Sequence, residues 1–130
     1  NIGHMKKSFL STQAKEFRKK YELKNDATVL KRRYQRDLIV EECKEFLEAE
    51  GMLFRHGRNY KEECLKELAD LVYVCYQYAE NMGWFLDEAL DRVHKSNMSK
   101  LGDDGKPIYR EDGKVLKGPN YQPPTLEDLF

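Results

Sequence analysis

The chain has 130 residues, with 23 basic and 23 acidic side chains and a formal net charge of zero. This length predicts a single domain with one modest core. With 35% charged, 40% hydrophobic and 12% aromatic residues, the composition is too balanced in charge and too aromatic for a disordered chain. Zero net charge argues against a general nucleic-acid or acidic-membrane binder, because no overall positive field draws the chain to phosphates. No apolar run approaches the length that spans a bilayer.

The distribution of cysteine, proline and glycine predicts the compartment and the segments of the chain. The three cysteines form no Cys-x-x-Cys pair, which favours a reduced cytoplasmic protein over a disulfide scaffold or zinc module. Residues 1–5 are interpreted as a vector-derived remnant before a native start at Met5. All four prolines and half of the glycines follow Leu101. We therefore predict an all-α domain at residues 6–101 and a tail at residues 102–130, which serves as a lid or as an arm that contacts another subunit.

Four helices are predicted upstream of Leu101, because apolar residues recur at helical spacing and no strand alternation occurs. In chain order they cover residues 9–21 with Ser8 as N-cap, 28–54 with Asp26 or Thr28 as N-cap, 60–82, and 85–100. Amphipathic helices joined by short links bury their apolar stripes against one another. The predicted fold class is therefore an all-α, four-helix bundle. In the tail, Asp112-Gly113 lies between short apolar segments and predicts a β-hairpin, and residues 117–124 are expected to be extended.

Two pairs of carboxylates fall where a surface helix would carry apolar residues. Glu42 lies within the apolar stripe of the second helix and Glu45 on its flank, while Glu67 and Asp70 follow the edge of the stripe on the third helix. Asp70 is expected to be enclosed, because residues 71–76 are apolar or aromatic on every side. A buried carboxylate changes its pKa or needs a positive partner, and Lys or Arg is scarce on these faces.

A divalent cation is the other partner that buried carboxylates accept. Spacing of i, i+3 puts both members of a pair on one helix face, and two antiparallel helices would bring the pairs together. Oxygen-only ligands suit Mg²⁺ or Mn²⁺. The alternative is that these are ordinary solvated carboxylates, since Glu-x-x-Glu is common on charged helices.

The order of these motifs resembles a known family. Glu41-Glu42-x-x-Glu45 followed by Glu67-x-x-Asp70, then Asn97-x-x-Lys100 and a tail with Asp104-Gly105-Lys106-Pro107 and Gly118-Pro119-Asn120-Tyr121, is similar to the MazG-like all-α nucleoside triphosphate pyrophosphohydrolases. That group includes the dimeric dUTPases and the phosphoribosyl-ATP pyrophosphohydrolases. Small phage-encoded members carry a similar tail.

The resemblance implies cleavage of an NTP or dNTP to the monophosphate and pyrophosphate. It implies Mg²⁺ or Mn²⁺, with more than one ion, held by Glu42, Glu45, Glu67 and Asp70. It also implies phosphate contacts from Asn97 and Lys100, and a homodimer or homotetramer in which two protomers complete one bundle. Because phage members of the family act on purine deoxynucleotides, dGTP and dATP are expected as substrates in preference to dUTP. The resemblance also implies a phage-encoded protein that acts in the host cytoplasm.

Further roles follow from position. Glu41 adjoins the ligands and is a candidate for orienting or deprotonating the attacking water, although an exposed surface glutamate is an equal alternative. Lys95 and Lys117 are candidate phosphate contacts. The partners expected are a small nucleotide and a second copy of the chain, not nucleic acid or membrane. Phosphoribosyl-ATP or dUTP hydrolysis remains an alternative, as does a non-catalytic helical dimerisation module.

Overall fold

The computed structural model describes the backbone of residues 2–130 and the side chains from Phe9 onward. The helices are α1 (Ile2–Lys20), α2 (Val29–His56), α3 (Lys61–Met82) and α4 (Leu86–Met98), with short 3-10 turns at Gly57–Tyr60 and Glu127–Leu129. Within residues 2–130 the only β feature is an isolated antiparallel bridge between Tyr109 and Val115. The all-α fold class is confirmed. The predicted remnant, residues 1–5, lies outside the residues whose side chains are described.

The helix ends differ from the predicted ones in small, interpretable ways. Helix α1 starts well before Phe9, so Ser8 lies inside the helix and is not its N-cap. Thr28 occupies the N-cap position of α2 but forms no side-chain capping bond; the carboxylate of Asp26 instead accepts the Thr28 N–H at 2.9 Å. Gly83 ends α3 with φ of 74°, a left-handed conformation that suits glycine.

Helix α3 packs along α2 and also against α1. Small residues fill much of the interior, and the buried apolar side chains among those described are Ala14, Ala49, Cys64, Tyr76 and Ala79. The apolar stripe predicted on α3 is not buried within one chain, because Leu65 is 67% and Val72 is 41% exposed. The expectation that the helix is enclosed after Asp70 is therefore wrong for a single chain.

The chain divides into two compact units, residues up to Trp84 and residues from Phe85 on. The first holds α1 to α3. The second holds α4 and the tail. The hairpin predicted in the tail contains the single bridge between Tyr109 and Val115. At its turn, Gly113, with φ of 89°, donates its N–H to the Arg110 carbonyl at 2.9 Å. No helix of the described residues has the length and apolar character needed to cross a membrane. The three cysteines are free thiols.

Candidate metal centre

Three of the carboxylates that the sequence analysis selected meet between α2 and α3. Glu42 comes from α2, while Glu67 and Asp70 lie one turn apart on α3, and one oxygen from each lies within 4.8 Å of the others. The meeting follows from local sequence, because i, i+3 spacing directs Glu67 and Asp70 to the same face of α3. The face of α2 that packs on α3 carries Glu42. We call these three residues the acidic cluster.

Two oxygens of the acidic cluster are buried without a hydrogen-bond partner among the described residues, namely Oε2 of Glu42 and Oε2 of Glu67. Glu67 is the more buried of the two residues, with 9% of its surface exposed. A buried oxygen that carries negative charge and no donor is costly. The cluster therefore lacks positive charge on its inner side, where these two oxygens lie.

Glu45, one turn along α2 from Glu42, lies at the edge of the cluster. The negative charge of Glu42 raises the pKa of Glu45 to about 7, and burial and hydrogen bonding to Glu67 and Glu42 add to this effect. A carboxyl that retains its proton near neutrality because of adjacent carboxylates indicates crowded negative charge. All four predicted ligands are thus neighbours in the structure.

A lysine that the sequence analysis did not assign also contacts the acidic cluster. Nζ of Lys66 lies 2.8 Å from Oδ2 of Asp70 and 3.3 Å from Oε1 of Glu67, and these two carboxylates raise the pKa of the lysine. Basic partners were expected to be scarce on the inward faces, and Lys66 reaches the cluster from the solvent side. The expectation that Asp70 is enclosed is wrong, because 38% of its side chain is exposed. The i, i+4 spacing of Lys66 and Asp70 was the sequence feature that could have predicted their ion pair.

The residues fit a hard divalent cation. Lys66 reaches Asp70 and the outer oxygen of Glu67 from the solvent side, with 65% of its own side chain exposed. The inner oxygens of Glu42 and Glu67 remain without partners among the described residues. An all-carboxylate set on two helices is the ligand type that Mg²⁺ and Mn²⁺ take, and a cation at the inner oxygens would supply the missing positive charge.

The other predicted site residues lie in different surroundings. Glu41 is exposed on α2 beside Glu42. The remaining four belong to the second unit: Asn97 is exposed at the end of α4, Lys100 is half-buried, Lys95 pairs with Asp91 at 3.0 Å, and Nζ of Lys117 lies 4.8 Å from the centre of the Tyr121 ring. These roles stay predictions.

A buried polar network, two turns along α3 from the acidic cluster, was missed by the sequence analysis. Arg18 of α1 is only 4% exposed and donates to Gln77 at 3.3 Å and to Asn81 at 3.1 Å, both on α3. Its other donors bond to Asn25 at 2.8 Å and to the Lys24 carbonyl at 3.1 Å. Burial lowers the pKa of Arg18. The sequence feature that could have identified it is the pair of amides at i and i+4, Gln77 and Asn81, in the mostly apolar second half of α3.

The same network holds the α1–α2 link in place. Asn81 accepts the Asp26 N–H at 3.0 Å and donates to the Asp26 carbonyl at 2.8 Å, so one α3 amide pairs with both backbone groups of a linker residue. Glu22, with φ of 56°, occupies the left-handed position of a helix-ending motif in which Leu23 donates to the Arg18 carbonyl at 2.8 Å. The start of α2 is therefore fixed relative to α3.

Comparison with known proteins identifies a matching family. A family model described as phosphoribosyl-ATP pyrophosphohydrolase matches residues 7–97, a range that includes α2 and α3 with the acidic cluster. No curated protein matches the chain significantly. The family consists of pyrophosphohydrolases, hydrolases of phosphorus anhydride bonds that act on nucleotide triphosphate-like substrates, and it is typically dependent on divalent metal.

Proposed function

Because the chain belongs to the phosphoribosyl-ATP pyrophosphohydrolase family, within the MazG-like all-α superfamily, we propose that it is a metal-dependent pyrophosphohydrolase of free purine deoxynucleoside triphosphates. The substrates are dGTP and dATP, and the products are the monophosphate and pyrophosphate. The observation that carries the proposal is the acidic cluster: three carboxylates within 4.8 Å, with inner oxygens that lack partners among the described residues.

The proposed ligands are Glu42, Glu45, Glu67 and Asp70. These carboxylates would hold Mg²⁺ or Mn²⁺, which would supply Lewis-acid activation of the phosphate and of the attacking water. The chain supplies the geometry, since rigid helices hold the carboxylates in fixed positions. Metal binding would require loss of the proton that the charge of Glu42 stabilises on Glu45, and it would replace Lys66 as the positive partner of Asp70.

Glu41 is proposed to accept a proton from the attacking water. It adjoins Glu42 and its exposed position on α2 suits exchange of that proton with solvent. Asn97 and Lys100, assigned from the family pattern, are proposed to contact the phosphates, with Lys95 and Lys117 as further contacts. A lysine acts there as a point charge and an asparagine as a directional donor.

The active form is proposed to be a homodimer or homotetramer. One face of α3 carries Leu65, Leu68 and Val72 at helical spacing, and these side chains are 67%, 41% and 41% exposed. They border a groove of about 360 Å³ that also contains Leu10 and Tyr73. A contiguous apolar face of this kind marks an interaction surface, and a second copy presenting the same face would bury it isologously.

A charge in this face tests the assembly. Leu68→Asp should shift the protein from oligomer to monomer, because an unpaired carboxylate would be buried at the interface. Sedimentation velocity measures the change, and Leu90→Asp, at a 48% exposed leucine of the second unit, is the matched control. An oligomer that survives Leu68→Asp unchanged would place the interface elsewhere.

Hydrolysis of phosphoribosyl-ATP is the second candidate function, favoured by the description of the matching family. A nucleotide panel separates the two. The four common dNTPs, dUTP and phosphoribosyl-ATP are each incubated with the protein and Mg²⁺ or Mn²⁺, and monophosphate and pyrophosphate are quantified. The proposal expects both products from dGTP and dATP. Cleavage of phosphoribosyl-ATP alone would favour the second candidate, and no product from any nucleotide would leave a non-catalytic helical module.

A further inference from the structure

A pocket of about 320 Å³ lies at the start of α2, within the first unit. Its buried residues are Arg18, Gln35 and Asn81, which are 4%, 6% and 3% exposed. Exposed side chains border it, among them Leu23, Lys31 and Tyr34. The pocket thus combines a buried polar floor with a partly apolar rim, an arrangement typical of small-molecule sites.

The floor of the pocket contains one acceptor that the fold does not use. Oε1 of Gln35 is buried and has no hydrogen-bond partner among the described residues. Arg18 and Asn81 are engaged instead with each other and with Asp26, since Arg18 donates to Asn81 at 3.1 Å and Asn81 pairs with both backbone groups of Asp26. Nε2 of Gln77, which is also buried without a partner among the described residues, does not line this pocket. A buried acceptor without a donor is costly, so the position suits a ligand that brings a donor.

The pocket and the acidic cluster lie about two helical turns apart along α2. Gln35 precedes Glu42 by seven residues, which puts both side chains on the same face of α2 and about 10 Å apart along the helix. This separation suits a single nucleotide with its phosphates at the cluster and its base at Gln35. Tyr34 presents a ring that is 59% exposed at the rim, and an aromatic face stacks on a nucleobase without regard to its identity.

We propose that this pocket, given the function proposed above, holds the purine base of the substrate, and that Oε1 of Gln35 accepts a hydrogen bond from its exocyclic amino group. Gln35 is then the residue that determines base specificity. Adenine carries its amino group on C6 and guanine on C2, so each base would turn a different edge toward the buried acceptor. A purine without an amino group leaves the acceptor unpaired, and a site built to bond a substrate group discriminates against the analogue that lacks it.

The test uses substrate pairs that differ by the amino group alone. Hydrolysis of dATP is compared with that of 2′-deoxynebularine triphosphate, and hydrolysis of dGTP with that of dITP. In the wild-type protein kcat/KM should be about tenfold higher for the amino-bearing member of at least one pair, the ratio that one neutral hydrogen bond supports. In Gln35→Met, a near-isosteric variant without the amide, that ratio should fall to about one.

The analogue without the amino group is the internal control. General disturbance of the fold lowers turnover of both members of a pair, whereas loss of the base contact affects only the amino-bearing one. Tyr34→Leu is the second variant, and it should raise KM for both members of a pair equally.

Purine dNTP hydrolysis with no discrimination in the wild-type protein, or with discrimination that persists in Gln35→Met, would overturn this inference and leave the proposed function intact. Absence of hydrolysis of every dNTP would overturn both.

Discussion

The two units of the molecule differ in how many of their polar side chains are buried. In the residues up to Trp84, polar groups point inward from regular helices, as with Glu67, Gln77 and Asn81, all at most 9% exposed. In the residues from Phe85 on, exposed charges pair with near neighbours or within the tail, as in the Lys95–Asp91 contact at 3.0 Å and the Arg92–Asp128 pair.

This contrast indicates that electrostatic interactions destabilise the folded state mainly in the first unit. Exposed ion pairs contribute little to stability because water screens them. Buried carboxylates and amides that lack partners raise the free energy of the folded state, and that cost is recovered only when a ligand arrives. Substitutions that remove charge in the first unit should therefore lower the rate of hydrolysis. Substitutions that disturb backbone packing in the second unit should lower its stability.

The largest expected effect is loss of hydrolysis on removing a carboxylate of the acidic cluster. Glu42→Gln and Asp70→Asn should each lower pyrophosphate release at least about 100-fold, since a metal contributes several kcal/mol to transition-state stabilisation. Thermal unfolding of the metal-free protein should be unchanged or shifted upward, because repulsion within the cluster decreases. Glu50→Gln, an exposed glutamate of the same helix, is the control, and full activity in both cluster variants would exclude the assigned ligands.

A pair of glycines tests the contrast in backbone packing. In the second unit, a Cβ on Gly118 would lie 2.5 Å from the Leu101 carbonyl oxygen, so Gly118→Ala should cost the tail about 1–3 kcal/mol. In the first unit, a Cβ on Gly51 would meet the Arg55 side chain at an ordinary 3.7 Å, and Gly51→Ala should stabilise α2 by about 0.5–1 kcal/mol.

Hydrogen exchange resolves the two glycine effects by region. Protection should fall in the tail for Gly118→Ala and rise in α2 for Gly51→Ala. A tail that remains protected in Gly118→Ala would show that the close approach at Leu101 is not needed to hold it.

The smallest expected effect is a pH dependence that metal reverses. Glu42 raises the pKa of Glu45 from 4.5 to about 7, so between these values the folded protein keeps a proton that the unfolded chain has lost. Stability of the metal-free protein should therefore fall as the pH rises through this window. The rise in melting temperature on adding Mn²⁺ should be larger at pH 8 than at pH 5.

Thermal unfolding with and without a chelator measures that dependence, and Glu45→Gln is the control, since it removes the titrating group. If the wild-type protein and Glu45→Gln show the same pH slope, the raised pKa makes no contribution to stability.

Helix positions and the acidic cluster were accessible from sequence because both depend on periodicity. Spacing of i, i+3 brings Glu67 and Asp70 to one face whatever the rest of the chain does, and the glycine at position 83 ends α3 as expected. The exposure of Val72 and Tyr73 could not be predicted, since apolar residues on every side of a helix indicate contact without indicating whether the same chain or a second copy supplies it.

The buried network and the pocket depend on tertiary structure. Arg18 is one of several basic residues near the end of α1, and only the docking of α1 against α3 distinguishes it by burying it at 4% exposure. Gln35 lies within a strongly basic run and has no local pattern that marks it as buried. The tail is held by backbone contacts such as the Gly118 N–H to the Lys100 carbonyl at 2.8 Å, and such contacts have no side-chain signature.

The ammonium of Lys66, 2.8 Å from Asp70, acts as a tethered counter-ion that partly neutralises the apoprotein. A dication bound at Asp70 would replace this ammonium as the positive partner and would leave the amine free in solvent. Its reactivity toward an acylating reagent would therefore report metal occupancy directly, without any nucleotide present.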